Sequence, residues 1–191
     1  AKKFQPDLIL AVGGGSVIDG SKLIAAATHY NGDAWDFLIK GETKPEKYIP
    51  LATVLTMSAT GSEMNRGSVI TNWTEHIKTF FDKEETLPKF SILDPQNLFT
   101  LPADQSAYGV IDTYSHVLEQ YITNSKNVPL QDRWSEGILL TLIENGRKTI
   151  AEPKNYEARA NIMLCATMAL NGLIGMGCNQ DWATHGIEHE I

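Results

Sequence analysis

With 191 residues the chain is long enough to bury a substantial core, as one domain or two small ones. Its net charge of -7, with lysines and arginines scattered, offers no basic footprint for nucleic acid or an anionic membrane, and no run approaches the ~18 apolar residues of a membrane span. Cys165 and Cys178 lack C-x-x-C spacing and no signal-peptide core follows the N-terminal lysines, so a reduced, cytoplasmic protein is expected.

In chain order, LILAV (8–12) reads as a buried strand that runs into three glycines and then a helix, SVIDGSKLIAAATHY (16–30). Further strands are expected at ATVLT (52–56), SVITN (68–72), IKTFF (77–81) and FSIL (90–93). The strand signals stop at DPQNLFTLP, where two prolines bracket a short apolar stretch. A helical period then appears over 104–122, 129–150 and 155–172, and again from near Asp181. The expectation is an α/β cofactor-binding part over residues 1–100 followed by an all-α part over 101–191. Both ends read as cut, because the chain opens just before a strand and stops at Ile191 within a helical pattern without a C-cap.

The turn in PDLILAVGGGSVIDGSK places glycines where a strand meets a helix. Glycine allows close backbone approach to a bulky ligand, and the first helical N–H groups favour an anion such as a pyrophosphate. Ser16 and Asp19 have the spacing of a capping box, with Asp in place of Glu or Gln. The turn fits neither G-x-G-x-x-G, whose third glycine would fall at Ile18, nor the P-loop, whose lysine and serine stand in the other order. A plain tight turn is the competing reading.

In GVIDTYSHVLEQ, Asp112 and His116 are spaced to share one face of a helix, and in DWATHGIEHEI so are His185 and His189. Carboxylate and imidazole are ligands for zinc or ferrous iron. A helix-surface Asp–His hydrogen bond and an exposed histidine pair are the bland alternatives. Spacing alone would make both histidines of the second pair ligands.

The order GGGSVIDGSK, TMSATGSEMNRG, IDTYSHVLEQ, DWATHGIEHE resembles the iron-containing (group III) alcohol dehydrogenases, in particular their butanol dehydrogenase and aldehyde reductase branch, over essentially the whole chain. The resemblance implies a Rossmann-like part joined to a helical part, the dehydroquinate synthase-like architecture. It implies that Asp112, His116 and His185 hold a divalent metal, iron or zinc, and that His189 lies beside nicotinamide and substrate and moves the proton. A further histidine ligand would follow Ile191. For the cofactor, NAD or NADP, it implies Gly14, Gly15 and Ser16 at the pyrophosphate, with Asp19 close by on the same helix. Thr56, Thr60, Asn65, Gly67 and Lys78 would line the adenine and nicotinamide-ribose parts of the cleft. The region that selects NAD or NADP would precede Ala1.

The implied activity is hydride transfer between NAD(P)H and a small aldehyde or primary alcohol, with the metal as Lewis acid, in a homodimer. A dehydroquinate synthase-like lyase is the rival. It would need basic residues around the metal, and Lys126, Arg133, Arg147, Lys148, Lys154 and Arg159 all lie away from the ligands in sequence. An inactive truncated piece is the other rival.

Overall fold

The computed structural model describes residues 1–40, 45 and 47–190. Strand β1 (Ile9–Gly13) runs parallel to β2 (Leu51–Leu55), with Ile9 opposite Leu51 and Gly13 opposite Leu55. The short β5 (Ser91–Ile92) joins the other side of β2, giving the order β1-β2-β5. As the central strand, β2 reads as a nearly continuous apolar run, with Leu51, Ala52, Thr53 and Leu55 all buried. On the edge strand β1, Ala11 is buried while Leu10 and Val12 are exposed.

Helix α1 (Gly15–Ala27) leads the crossover from β1 to β2 and buries Ile18 and Ala26. Between them lies α2 (Ala34–Lys40), which the sequence reading lacks. At seven residues it is too short to display a helical period. Strands β3 (Gly67–Asn72) and β4 (Ile77–Asp82) form a separate antiparallel hairpin, with Gly67 opposite Asp82. Its turn is closed by the Asn72 side chain, which accepts from the backbone N–H groups of Thr74 (3.0 Å) and Glu75 (3.3 Å).

No strand follows Ile92 among the described residues. The helices that follow are α3 (Ala103–Tyr121), α4 (Pro129–Ala151), α5 (Tyr156–Ala169) and α6 (Ala183–Glu190). Asn155 caps α5 by accepting from Ala158 N at 3.0 Å, and α4 begins with Pro129, whose missing N–H costs nothing in a first turn. Helix α5 ends at Ala169, short of the expected residue 172, where Gly172 takes a φ of 90°. Helices α3, α4 and α5 close a core of Val117, Leu139, Leu142, Ile162 and Cys165.

The change of period does not divide the interior. Leu98 and Met163 pack in the same buried cluster as Ala11, Ile18, Leu51 and Leu55, so α5 and the sheet share one interior. None of the described helices is long and apolar enough to cross a membrane.

Candidate metal and cofactor site

The glycine turn lies at the C-terminal end of β1, beside the loop that leaves β2. Thr56 N donates to Gly13 O at 3.0 Å. A Cβ on Gly15 would fall 2.6 Å from Thr60 Cγ2, and one on Gly14 would fall 3.0 Å from Met57 Cβ. The two loops therefore touch only because these residues lack side chains. The C-terminal ends of parallel strands are where open α/β sheets bind ligands.

The expected Ser16–Asp19 capping box is not formed. Helix α1 starts at Gly15, after Gly14, two residues before the start that a Ser16 cap would give, so Ser16 stands inside the first turn, exposed, with no side-chain cap among the described residues. Asp19 turns the other way and accepts from Ser62 Oγ and from Val69 N (2.8 Å). The first turn of α1 carries no acidic residue. Its N–H groups and the positive end of the helix dipole are thus left without a carboxylate of their own, as an anion site requires.

Asn65 and Gly67 sit behind this loop. Asn65 Oδ1 accepts from Gly67 N (3.0 Å) and Lys22 Nζ (3.2 Å), and its amide donates to Thr60 O (3.3 Å). Lys22 also donates to Ser62 Oγ (2.8 Å), Asn65 O (2.9 Å) and Gly67 O (2.6 Å). Glu63, buried as well, accepts from Thr167 Oγ1 on α5 at 2.6 Å. Burial pushes the carboxyls of Asp19 and Glu63 up against the pull of Lys22, and it pushes the Lys22 ammonium down to about 8. The sequence reading missed Lys22 and Glu63. The i,i+3 spacing of Asp19 and Lys22 was the available signal.

The loop after β2 also meets α3. A Cβ on Gly109 would fall 2.3 Å from Ser58 O, and Thr113 Oγ1 donates to Gly109 O (2.7 Å) with a longer reach to Ala59 O (3.4 Å). One turn along α3 from Gly109 stands Asp112, and two turns along stands His116. Their ligand atoms and one of His185, from α6, all lie within 4.8 Å of one another. Asp112 Oδ1 is 3.4 Å from His185 Nε2 and 3.6 Å from His116 Nε2, and the two imidazoles stack with centroids 4.6 Å apart. Trp182 stands edge-on to both rings.

Burial alone would raise the Asp112 carboxyl, but the hydrogen bond from His185 and the charge of His116 outweigh it and hold the group below the usual carboxylate range. His116 is depressed by burial against the pull of Asp112, while His185 is raised by its bond to Asp112. The donor set and spacing fit a divalent ion. Two ligands each about 2.1 Å from a tetrahedral ion stand ~3.4 Å apart, whereas an N–H···O bond is usually about 2.9 Å long. His116 Nδ1 is buried without a partner, so no hydrogen bond of the ring accounts for its burial.

His189 stands apart from the cluster, one turn further along α6, with Nε2 3.6 Å from Glu188 Oε2. Burial, reinforced by Lys78, lowers its pKa. Lys78, on β4, pairs with Glu188 on α6 at 2.6 Å. The structure thus brings Asp112, His116 and His185 together, sets Gly14, Gly15, Thr56 and Thr60 side by side, and turns Asp19 and Asn65 into a buried network behind them.

A parallel α/β layer with a glycine turn, packed on helices that gather a carboxylate and two imidazoles, defines the Rossmann-like plus all-helical class. The chain belongs to the iron-containing alcohol dehydrogenase family. Residues 1–95 match the iron-containing alcohol dehydrogenases, and residues 106–191 match the C-terminal part of the Fe-containing alcohol dehydrogenase family. It is 52% identical to the "Probable NADH-dependent butanol dehydrogenase 1" of Bacillus subtilis over 190 residues, which are 100% of this chain and 49% of that protein. It is also 52% identical to the NADPH-dependent aldehyde reductase YqhD of Escherichia coli, over 96% of this chain and 48% of that one. The crystal structure of NADH-dependent butanol dehydrogenase A from Thermotoga maritima superposes with a TM-score of 0.94 at 44% identity, covering 99% of this chain and 47% of that one. The chain spans about half the length of the curated relatives it matches.

Proposed function

We propose that this chain forms the cofactor-facing loops and metal-binding helices of an NAD(P)H-dependent alcohol dehydrogenase that interconverts a small aldehyde and its primary alcohol. The observation that carries the reading is the convergence of Asp112, His116 and His185 within 4.8 Å, on helices packed against the loop that touches the glycine turn. The names of its relatives supply the substrate class and both nicotinamide cofactors.

In this reading Asp112, His116 and His185 hold iron or zinc, two ions that a mixed oxygen and nitrogen donor set does not separate. When bound, the ion supplies Lewis acidity toward negative charge that develops on the substrate oxygen. Gly14, Gly15 and Ser16 receive the pyrophosphate on the uncapped N–H groups of α1. Thr56 and Thr60 line the adjoining wall, and Lys78 reaches the nicotinamide-ribose side when it leaves Glu188. Asp19, Asn65 and Gly67 serve by holding that wall in place, since their polar groups bond to Lys22, Ser62 and Val69. His189, whose lowered pKa favours the neutral ring, accepts the proton at a ring nitrogen in alcohol oxidation and returns it in aldehyde reduction.

A carboxylate- and phosphate-handling lyase would want free cations near the metal ligands. The Arg159 guanidinium is instead buried on Pro153 O (3.0 Å) and Ser106 Oγ (2.8 Å). A cytoplasmic homodimer completes the proposal, with Cys165 and Cys178 as free thiols. The test is butanal reduction by NADH and by NADPH after reconstitution with Fe²⁺ or Zn²⁺, beside a His116→Ala variant. The variant should lose metal-dependent turnover and retain cofactor binding, read by NAD(P)H fluorescence. Turnover that is independent of added metal and of His116 would refute the assignment.

A further inference from the structure

Glu119 lies on α3 one turn beyond His116 and is 6% exposed. A glutamate in that position of an amphipathic helix is ordinarily solvated, and its burial needs a reason. Its two carboxylate oxygens face different groups. Oε1 accepts from the backbone N–H of Thr184 (2.6 Å) and of His185 (3.3 Å), whereas Oε2 bonds to Nδ1 of the His185 ring. Its own carbonyl accepts from Asp181 N at 2.9 Å. Every one of these donors lies in the first turn of α6 or in the two residues before it.

Helix α6 has little else to hold it there. It buries none of its residues completely, and Ile187 is 63% exposed. A carboxylate at Nδ1 holds a proton on that nitrogen, which reserves Nε2, 3.4 Å from Asp112 Oδ1, for a metal ion.

We propose that Glu119 is the positioning residue of the metal site, setting the tautomer and ring orientation of His185 and docking α6 against α3. The proposal rests on reading Asp112, His116 and His185 as metal ligands. Glutamate suits the task because it offers an acceptor oxygen to each side. Glutamine has the same size but only one acceptor, so it can serve either the backbone N–H groups or Nδ1–H while its amide NH₂ opposes the other.

The experiment is a Zn²⁺ titration of the metal-free full chain, wild type against Glu119→Gln, with circular dichroism to show that both fold. By analogy with other partners of metal-binding histidines, the variant should bind Zn²⁺ about 10–100-fold more weakly. A second measurement needs no variant: ¹⁵N imidazole shifts of the Zn²⁺-loaded wild type should show His185 protonated at Nδ1 and bound to the ion through Nε2. Tight, equal Zn²⁺ binding by both proteins, or a His185 ring bound to the ion through Nδ1 in the Zn²⁺-loaded wild type, would overturn the role of Glu119 and leave the three-ligand reading standing. Absence of Zn²⁺ binding by the wild type would overturn the three-ligand reading itself.

Discussion

Replacing Lys22 with methionine leaves an unbranched side chain one atom shorter and removes the charge from a site that is 0% exposed. Ser62 Oγ, Asn65 O and Gly67 O lose the lysine's hydrogen bonds, and Asn65 Oδ1 keeps only Gly67 N. The buried carboxylates of Asp19 and Glu63 lose the ammonium that opposes their desolvation. Breaking a buried pair from one side typically costs about 3–5 kcal/mol, more than a methionine regains by apolar transfer of roughly 2 kcal/mol. In a chain of 191 residues, where 1 kcal/mol moves the melting temperature by about 2–4 °C, Lys22→Met should melt roughly 6 °C below wild type. Calorimetry at pH 7 makes the comparison.

The same lysine gives a pH signature. Its folded-state pKa is lowered from 10.5 to about 8, so between those values the unfolded chain binds the extra proton and wild-type stability rises with pH. Below pH 8 the cost of burying the ammonium is present in full. The wild-type advantage over the methionine variant should therefore widen from pH 8 to 10, by up to roughly 3 kcal/mol. Melting temperatures within 2 °C of each other at pH 7 would show that the ammonium does not hold this network, and an advantage that stays constant from pH 8 to 10 would show that burial does not lower its pKa.

Gly15→Ala would set a methyl 2.6 Å from Thr60 Cγ2, and overpacking of this kind costs about 1–3 kcal/mol. NAD(P)H fluorescence titration should show weakened binding that Thr60→Ala partly relieves, and a lack of relief would place the clash elsewhere. Gly109→Ala meets the Ser58 carbonyl at 2.3 Å, a backbone atom that cannot swing aside, so α3 must shift and carry Asp112 and His116 with it. Both thermal stability and Zn²⁺ affinity should fall, and unchanged Zn²⁺ affinity would separate the helix contact from the metal cluster. Lys78→Met removes a partly exposed ion pair worth roughly 0–1 kcal/mol, so the melting temperature should barely move while NAD(P)H affinity drops. Unchanged affinity would mark Lys78 as an edge-strand charge.

What sequence reading reached depended on whether the cause was local. The strand at Ile9–Gly13 and the helix at Ala103–Tyr121 came within a residue or so of their observed bounds, because alternation and helical period are properties of one segment. Pairing is different: nothing in FSIL announces that Ser91 and Ile92 lie beside Thr53 and Val54. Asp112 and His116 were legible from their spacing. His185 and His189 have the same spacing, yet only His185 reaches Asp112, and resemblance rather than period had distinguished them. The capping box failed because a serine three residues before an aspartate looks the same whether the helix begins at residue 15 or 17. Glu119 was invisible for a similar reason: in HVLEQ it reads as a solvated acid, and its burial is created by residues 181–185 arriving from the far end of the chain.

The attachment of α6 is polar at both ends, and the two ends differ in strength. Hydrogen bonds to a buried charge contribute about 1.5–3 kcal/mol each, whereas the Lys78–Glu188 pair, whose glutamate is 59% exposed, adds roughly 0–1 kcal/mol. Without a buried apolar residue to add to them, these contacts leave α6 among the elements that open most readily. Asp112 and His116, fixed on a helix packed into the core, are then the standing part of the cluster, and His185 is the part that arrives. A ligand that needs all three side chains stabilises the docked form by mass action, by about 2.7 kcal/mol at a hundred times its Kd. Amide hydrogen exchange at Thr184, His185 and Gly186 should therefore slow about 100-fold on saturation with Zn²⁺, while amides in the core of α4 change far less. Equal slowing throughout the helices would mean that the ion acts on global unfolding and that α6 is already as firmly held as the rest. No slowing at Thr184–Gly186 would mean that His185 takes no part in binding the ion.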